Sequence, residues 1–243
     1  MGKQELMALG LLGAAFVGGA ALASTGNSQA PWFVSRAAGI GAFVALSLSV
    51  ILGLLTSMRL GFPGLGRAFN FEIHGFVSVL GLTLVGIHGG SLLFDGFFHF
   101  TPAHLMIPFL SPYEPAWTGL GVIAAWGMAI VTASFWMRRW IGQRTWRLLH
   151  YVSFAVYLLA FFHGITSGTD TGAMPVALIY AASAVTVASL LALRIMVRGE
   201  RIQAGRSATA ADAIPAWSER PAPVRASLWF HREDATAGNW ERS

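Results

Sequence analysis

Four histidines lie inside long uncharged stretches of this 243-residue chain, His74 and His88 in one and His150 and His163 in another. Imidazole ligates metals as a neutral ring and changes charge near physiological pH. An ionisable group within membrane-like sequence is by default a functional one. The two histidines of each stretch are 14 and 13 residues apart, which is about 21 and 20 Å of helix rise. If both stretches run the same way, His74 is level with His150 and His88 with His163. Facing imidazoles at two depths are what two b-type haems stacked across a bilayer need as axial ligands. The same set also suits a non-redox transport or scaffold subunit that relays protons or binds ions. Cysteine is absent, which excludes disulfides, thiol catalysis, thiolate-held iron and c-type haem attachment.

The angular geometry is less regular than the depths. A 14-residue step is close to a whole number of turns, whereas a 13-residue step on an ideal helix rotates His163 by about 140° from His150. A distorted or crossing helix, or haem planes at different azimuths, would be needed to absorb the difference.

The elements that carry these residues follow from composition. Residues of the AVILMFWYC set make up 55% of the chain and charged residues only 11%, about half the charge of a soluble domain. Uncharged windows cover 6 to 35, 37 to 58, 73 to 94, 115 to 137, 148 to 169 and 171 to 193, each longer than the roughly 20 residues that cross a bilayer as helix. The expected fold is therefore all-α, a polytopic membrane bundle of six transmembrane helices near 6–24, 35–57, 73–94, 116–137, 148–166 and 172–194, with haems between the third and fifth. With six spans, 15 of the 16 basic residues fall on one face and only Arg36 on the other. The positive-inside rule then puts both termini in the cytoplasm, for an integral protein of a bacterial cytoplasmic membrane. Basic residues at helix ends rather than in one patch argue against nucleic acid.

The first apolar run, after Lys3 and ending Ala21-Leu22-Ala23, has an alternative reading as a cleaved signal peptide. Three regions result: 1–31, a first helix and outer loop; 32–197, the di-haem membrane domain; and 198–243, a charged cytoplasmic tail expected to be disordered or partner-docking. The sequence offers no convincing internal repeat. Residues 95 to 115, apolar but broken by Pro102, Pro108 and Pro112, read as a re-entrant or interfacial segment on the outer mouth.

Local composition suits a macrocycle beside the histidines. Gly75, Gly89 and Gly164 each follow one of them, and small residues admit close approach to the backbone. Haem carboxylates call for basic partners near each surface. Arg36 is the candidate for the outer site, and Arg67, Arg59 and Arg147 for the inner, Arg147 lying three residues before His150. Phe76, Phe154, Tyr157, Phe161 and Phe162 either shape the gap or simply fill it. His99 and His104, with Asp95 and Glu114, either receive an incoming ferric or cupric ion or are ordinary surface residues.

Several strings resemble the ferric reductase-like transmembrane domain family, which includes ferric reductases, NADPH oxidases and the haem subunit of the methionine sulfoxide reductase system. They are His74-x13-His88, Trp146-Arg-Leu-Leu-His150, His150-x12-His163-Gly164, the outer Ile107-Pro-Phe-Leu-Ser-Pro-Tyr113 and Arg138-Arg139-x-Ile141-Gly142, across roughly residues 32 to 195. The resemblance implies two b-type haems (heme b), ligated by His74 with His150 near the cytoplasm and by His88 with His163 near the outside. Electrons would pass outward from a cytoplasmic-side flavoprotein or quinol to an outer-face acceptor such as a ferric chelate or a periplasmic redox enzyme. It marks the chain as an oxidoreductase component. Ferric reductases and NADPH oxidases continue into flavin- and nicotinamide-binding domains, whereas 46 residues follow Val197 here with no G-x-G-x-x-G fingerprint, so flavin enters only through a partner or at the cytoplasmic face. The alternative within the same chemistry is a non-catalytic haem-binding subunit of a larger membrane complex, docked through the tail.

Overall fold

The computed structural model describes residues 29–58 and 67–212. It is helical, with no strand among the described residues. We number the helices α1, Ala30–Ser57; α2, Arg67–Leu92; α3, Pro102–Met106; α4, Pro115–Ser167; and α5, Met174–Asp212. Four of them contain stretches long and apolar enough to cross a membrane: Ala30–Ser57, Phe69–Leu92, Pro115–Ser167 and Met174–Glu200. The expected span at 6–24 and the tail beyond Asp212 lie outside the described residues. Residues from Arg198 form a second unit, of which the last turns of α5 are the described part.

Starts are set by proline: Pro31, Pro102 and Pro115 stand in the first turns of α1, α3 and α4, where a missing N–H costs nothing. The sequence expects two spans, 116–137 and 148–166, joined by a basic loop. They form instead one element of 53 residues in which only Gly142 has non-helical dihedrals, φ 79° and ψ 157°. A straight helix of that length would measure about 80 Å, far beyond a hydrocarbon core of about 30 Å. The chain instead doubles back at Gly142. A Cβ added to Gly121 would fall against His163, and one added to Gly127 against Val156; the Tyr113 hydroxyl donates to the Ser167 carbonyl. Arms 115–141 and 143–167 therefore run antiparallel and side by side. The loop shrinks to one residue because Arg, Trp, Ile and Gln on either side are compatible with helix, while φ and ψ at the reversal belong to a region open essentially to glycine alone.

Helix α1 is the most enclosed, burying Ala38, Ala42, Phe43, Leu46, Val50 and Leu54. Phe43 meets Tyr157, Phe161 and Tyr180 with ring centres 6.0, 6.1 and 4.4 Å away. Polar side chains are also inside: Ser47, Ser183 and Tyr157 form a buried chain of 2.8 Å hydrogen bonds between α1, α5 and α4. Large apolar side chains face outward, Leu148 at 70% and Val185 at 66% exposed. Polar contacts within and bare apolar surface without are the arrangement of helices packed in lipid.

Residues 95 to 115 lie against the first arm. The Trp126 indole donates to the Met106 carbonyl at 3.1 Å, and the Phe109 ring occupies the space beside Gly119. Phe97 remains 80% exposed and Ile107 53%.

Replacing Gly142 by Val should lower stability by about 1–3 kcal/mol, the cost of a side chain in that backbone region. Thermal unfolding in detergent, followed by circular dichroism, reads this. Gly172→Ala, whose added Cβ meets nothing within 4 Å, should leave the melting temperature unchanged, and equal melting of both variants would refute the role given to Gly142.

Candidate functional site

The structure brings the four histidines together in the two expected pairs. The rings of His74 and His150 have centres 5.9 Å apart at an interplanar angle of 69°; those of His88 and His163 are 6.1 Å apart at 70°. The angular offset between His150 and His163 is taken up by rings that leave the arm on different sides. His163 turns toward Gly121 and Trp117 of the first arm, whereas His150 stacks on Trp146 one turn back, with centres 5.2 Å apart.

Three of the four rings are held by backbone carbonyls. His74 Nδ1 lies 2.9 Å from the Ser49 carbonyl oxygen, His88 Nδ1 2.8 Å from that of Ser35, and His163 Nδ1 3.0 Å from that of Trp117. A carbonyl only accepts, so in each ring Nδ1 carries the hydrogen and Nε2 keeps its lone pair. Orientation of a ligating imidazole through its other nitrogen is the usual support for a metal ligand. The hydroxyls add to it: Ser35 Oγ lies 3.1 Å from His88 Nδ1, and Ser49 Oγ 2.7 Å from Ser78 Oγ.

The pairs have room for a metal between them. A metal bonds each imidazole nitrogen at about 2 Å, and about 1 Å more reaches each ring centre, so two rings on one ion stand about 6 Å apart. Among the described residues no group of three or more His, Cys, Asp or Glu could hold an ion. A pair of histidines therefore suits a metal whose remaining ligands come from a macrocycle rather than from protein.

Beside His74 and His150 is a cavity of about 670 Å³, within the range of cofactor sites. Its walls include Gly53, Gly75, Val79, Phe76 and Phe154, with Arg147 and Arg194 among the polar groups. A Cβ on Gly75 would meet no atom within 4 Å, and the same is true of Gly89 beside His88. The Trp146 indole nitrogen, also of the cavity wall, is buried without a hydrogen-bond partner. A buried donor without an acceptor is costly, and Asn70 Oδ1 and Ser167 Oγ are buried unpaired as well. Apolar walls, two imidazoles and two guanidinium groups together suit a flat, mostly apolar molecule bearing carboxylates.

Of the basic residues named from sequence, Arg147 lies in this wall. Arg36, next to Ser35, is paired through Nε and Nη2 with the Asp170 carboxylate, and its guanidinium lies 4.0 Å over the Trp32 ring. The side chain of Arg67, which opens α2, and the whole of Arg59 lie outside the described residues. Phe76 and Phe154 line the cavity, Tyr157 and Phe161 belong to the core around Phe43, and Phe162 is exposed. The outer groups form no shared site: Asp95 accepts from the Phe98 N–H, His104 Nδ1 accepts from the Thr101 N–H in a cap of α3, and Glu114 caps α4 with its backbone. Sequence reasoning missed Arg194 and the three carbonyls. The carbonyl set did leave a trace, since Ser35 and Ser49 are 14 residues apart, as are His74 and His88.

Comparison with family models, with curated proteins and with solved structures finds no match to this chain.

Proposed function

We propose that the chain is a transmembrane electron conduit that binds two b-type haems, one between His74 and His150 and the other between His88 and His163. The observation that carries this reading is the equality of the two pairs: ring centres 5.9 and 6.1 Å apart at nearly the same tilt. Unrelated polar contacts would have no reason to repeat one geometry at two levels. The fit of the cavity walls to a flat apolar molecule with carboxylates adds to it.

Haem supplies one-electron chemistry at its iron. The residues supply the rest. Imidazole Nε2 atoms bind the metal, and carbonyls behind three of the rings fix their orientation. Arg147 and Arg194, in the cavity wall, would hold carboxylates at the His74 level. The apolar faces of α2 and α4 exclude water. Six spans with both termini cytoplasmic make the His74 level the inner one, where a flavoprotein or quinol donates, and the His88 level the outer one, where a ferric chelate or a redox enzyme accepts. The family resemblance of the histidine strings and the placement of basic residues support this orientation.

Purified protein should show b-type bands in a reduced-minus-oxidised spectrum and two haems per chain by pyridine haemochrome assay. His74→Ala or His150→Ala should remove one haem, and His88→Ala or His163→Ala the other. A chain without haem, or four variants that each keep two, would overturn the assignment. Arg147→Leu, which removes a guanidinium from the cavity wall, should weaken the inner haem alone, seen as its earlier loss during detergent washing.

A further inference from the structure

We infer that three backbone seats, Ser35 with Gly39, Ser49 with Gly53 and Trp117 with Gly121, are one repeated device that positions His88, His74 and His163. The inference deepens the haem-ligand reading and rests on it for the purpose of the seats, whereas the seats themselves rest on hydrogen bonds and close approach.

In an α-helix the carbonyl of residue i accepts the N–H of residue i+4 and retains a second lone pair. A side chain at i+4 covers that oxygen. The protein itself illustrates this: Ser47 Oγ reaches back to the Phe43 carbonyl at 2.8 Å and Ser78 Oγ to the His74 carbonyl at 2.7 Å. At each seat the residue at i+4 is glycine, so the carbonyl is uncovered and an imidazole from another segment takes the place of the missing side chain. The fit is close. A Cβ on Gly39 would lie 2.9 Å from His88 Nδ1, and one on Gly121 2.7 Å from His163 Nδ1. Gly53 is looser, its Cβ falling 3.5 Å from His74 Cε1.

Two seats lie on α1, which contributes no ligand. Their 14-residue spacing equals that of the α2 histidines they receive, so α1 acts as a template for two rings at once. Ser35, Gly39, Ser49, Gly53, Trp117 and Gly121 are positioning residues: each seat holds the hydrogen on Nδ1 and leaves Nε2 free to ligate.

The test uses the full chain in lipid nanodiscs. Gly39→Ala and Gly121→Ala should each displace one outer ligand, lowering haem content from two toward one per chain or shifting the midpoint potential of one haem while the other is unmoved. Gly53→Ala should act on the other haem and less strongly, in keeping with its wider gap. Gly172→Ala should keep both potentials. Gly39→Ala and Gly121→Ala variants that fold by circular dichroism with two haems at unaltered potentials would overturn the inference. A wild-type chain without haem would instead refute the proposed function, and the seats would then be read by ¹⁵N-histidine NMR on that haem-free chain. Nδ1–H tautomers at His74, His88 and His163, with only His88 altered by Gly39→Ala, support them. Nε2–H tautomers at these residues overturn them.

Discussion

A neutral imidazole has one N–H, and among apolar helices that hydrogen must find an acceptor or cost a few kcal/mol. Much of the bundle can be understood from how this is met. Water is excluded from such an interior and side-chain acceptors are few, so backbone carbonyls serve, although helices ordinarily use them for themselves. The solution costs little: the carbonyl keeps its helical bond and gives up only a spare lone pair. What it does require is a gap in the side-chain cover of a neighbouring helix. Helices α1 and α4 therefore meet the histidines through polar contacts as well as apolar burial, and Gly39, Gly53 and Gly121 stand where they touch.

The remaining interior follows the same economy. Ser47, Ser183 and Tyr157 satisfy one another across three helices, and rings around Phe43 fill the level between the two histidine pairs. Arg36 and Asp170 meet between α1 and the turn that precedes α5. None of these groups is left to lipid. Among the described residues three buried side-chain atoms have no partner, Asn70 Oδ1, Trp146 Nε1 and Ser167 Oγ.

The membrane character and the pairing of His74 with His150 and His88 with His163 were legible in the sequence because charge and depth are one-dimensional quantities. Rise per residue converts directly into level in the bilayer. The hairpin at Gly142 was not, since a run such as Arg138–Trp146 contains nothing that distinguishes a helical link from a basic loop; only the dihedral angles of one glycine do. The offset of about 140° that an ideal helix gives His163 holds only for side chains that stand as radial spokes, whereas Trp117 and Trp146 draw the two rings to different sides. Arg194 was invisible because its partner in the cavity wall, Arg147, lies 47 positions away on another helix. The seats were hidden for a different reason: their active atoms are carbonyl oxygens, which every residue has, and their only mark is a glycine one turn on.

A template with two seats on a single helix also constrains how this chain can vary. Between Gly39 and Ser49 the contacts of Phe43 and Ser47 fix two positions, while several others tolerate a change of apolar residue. The length of the interval tolerates none. One residue inserted or deleted there turns one seat by about 100° and moves it by about 1.5 Å relative to the other, and α2 cannot follow without breaking its own spacing. A chain that keeps both seats must therefore keep this count, whatever else it changes in the stretch.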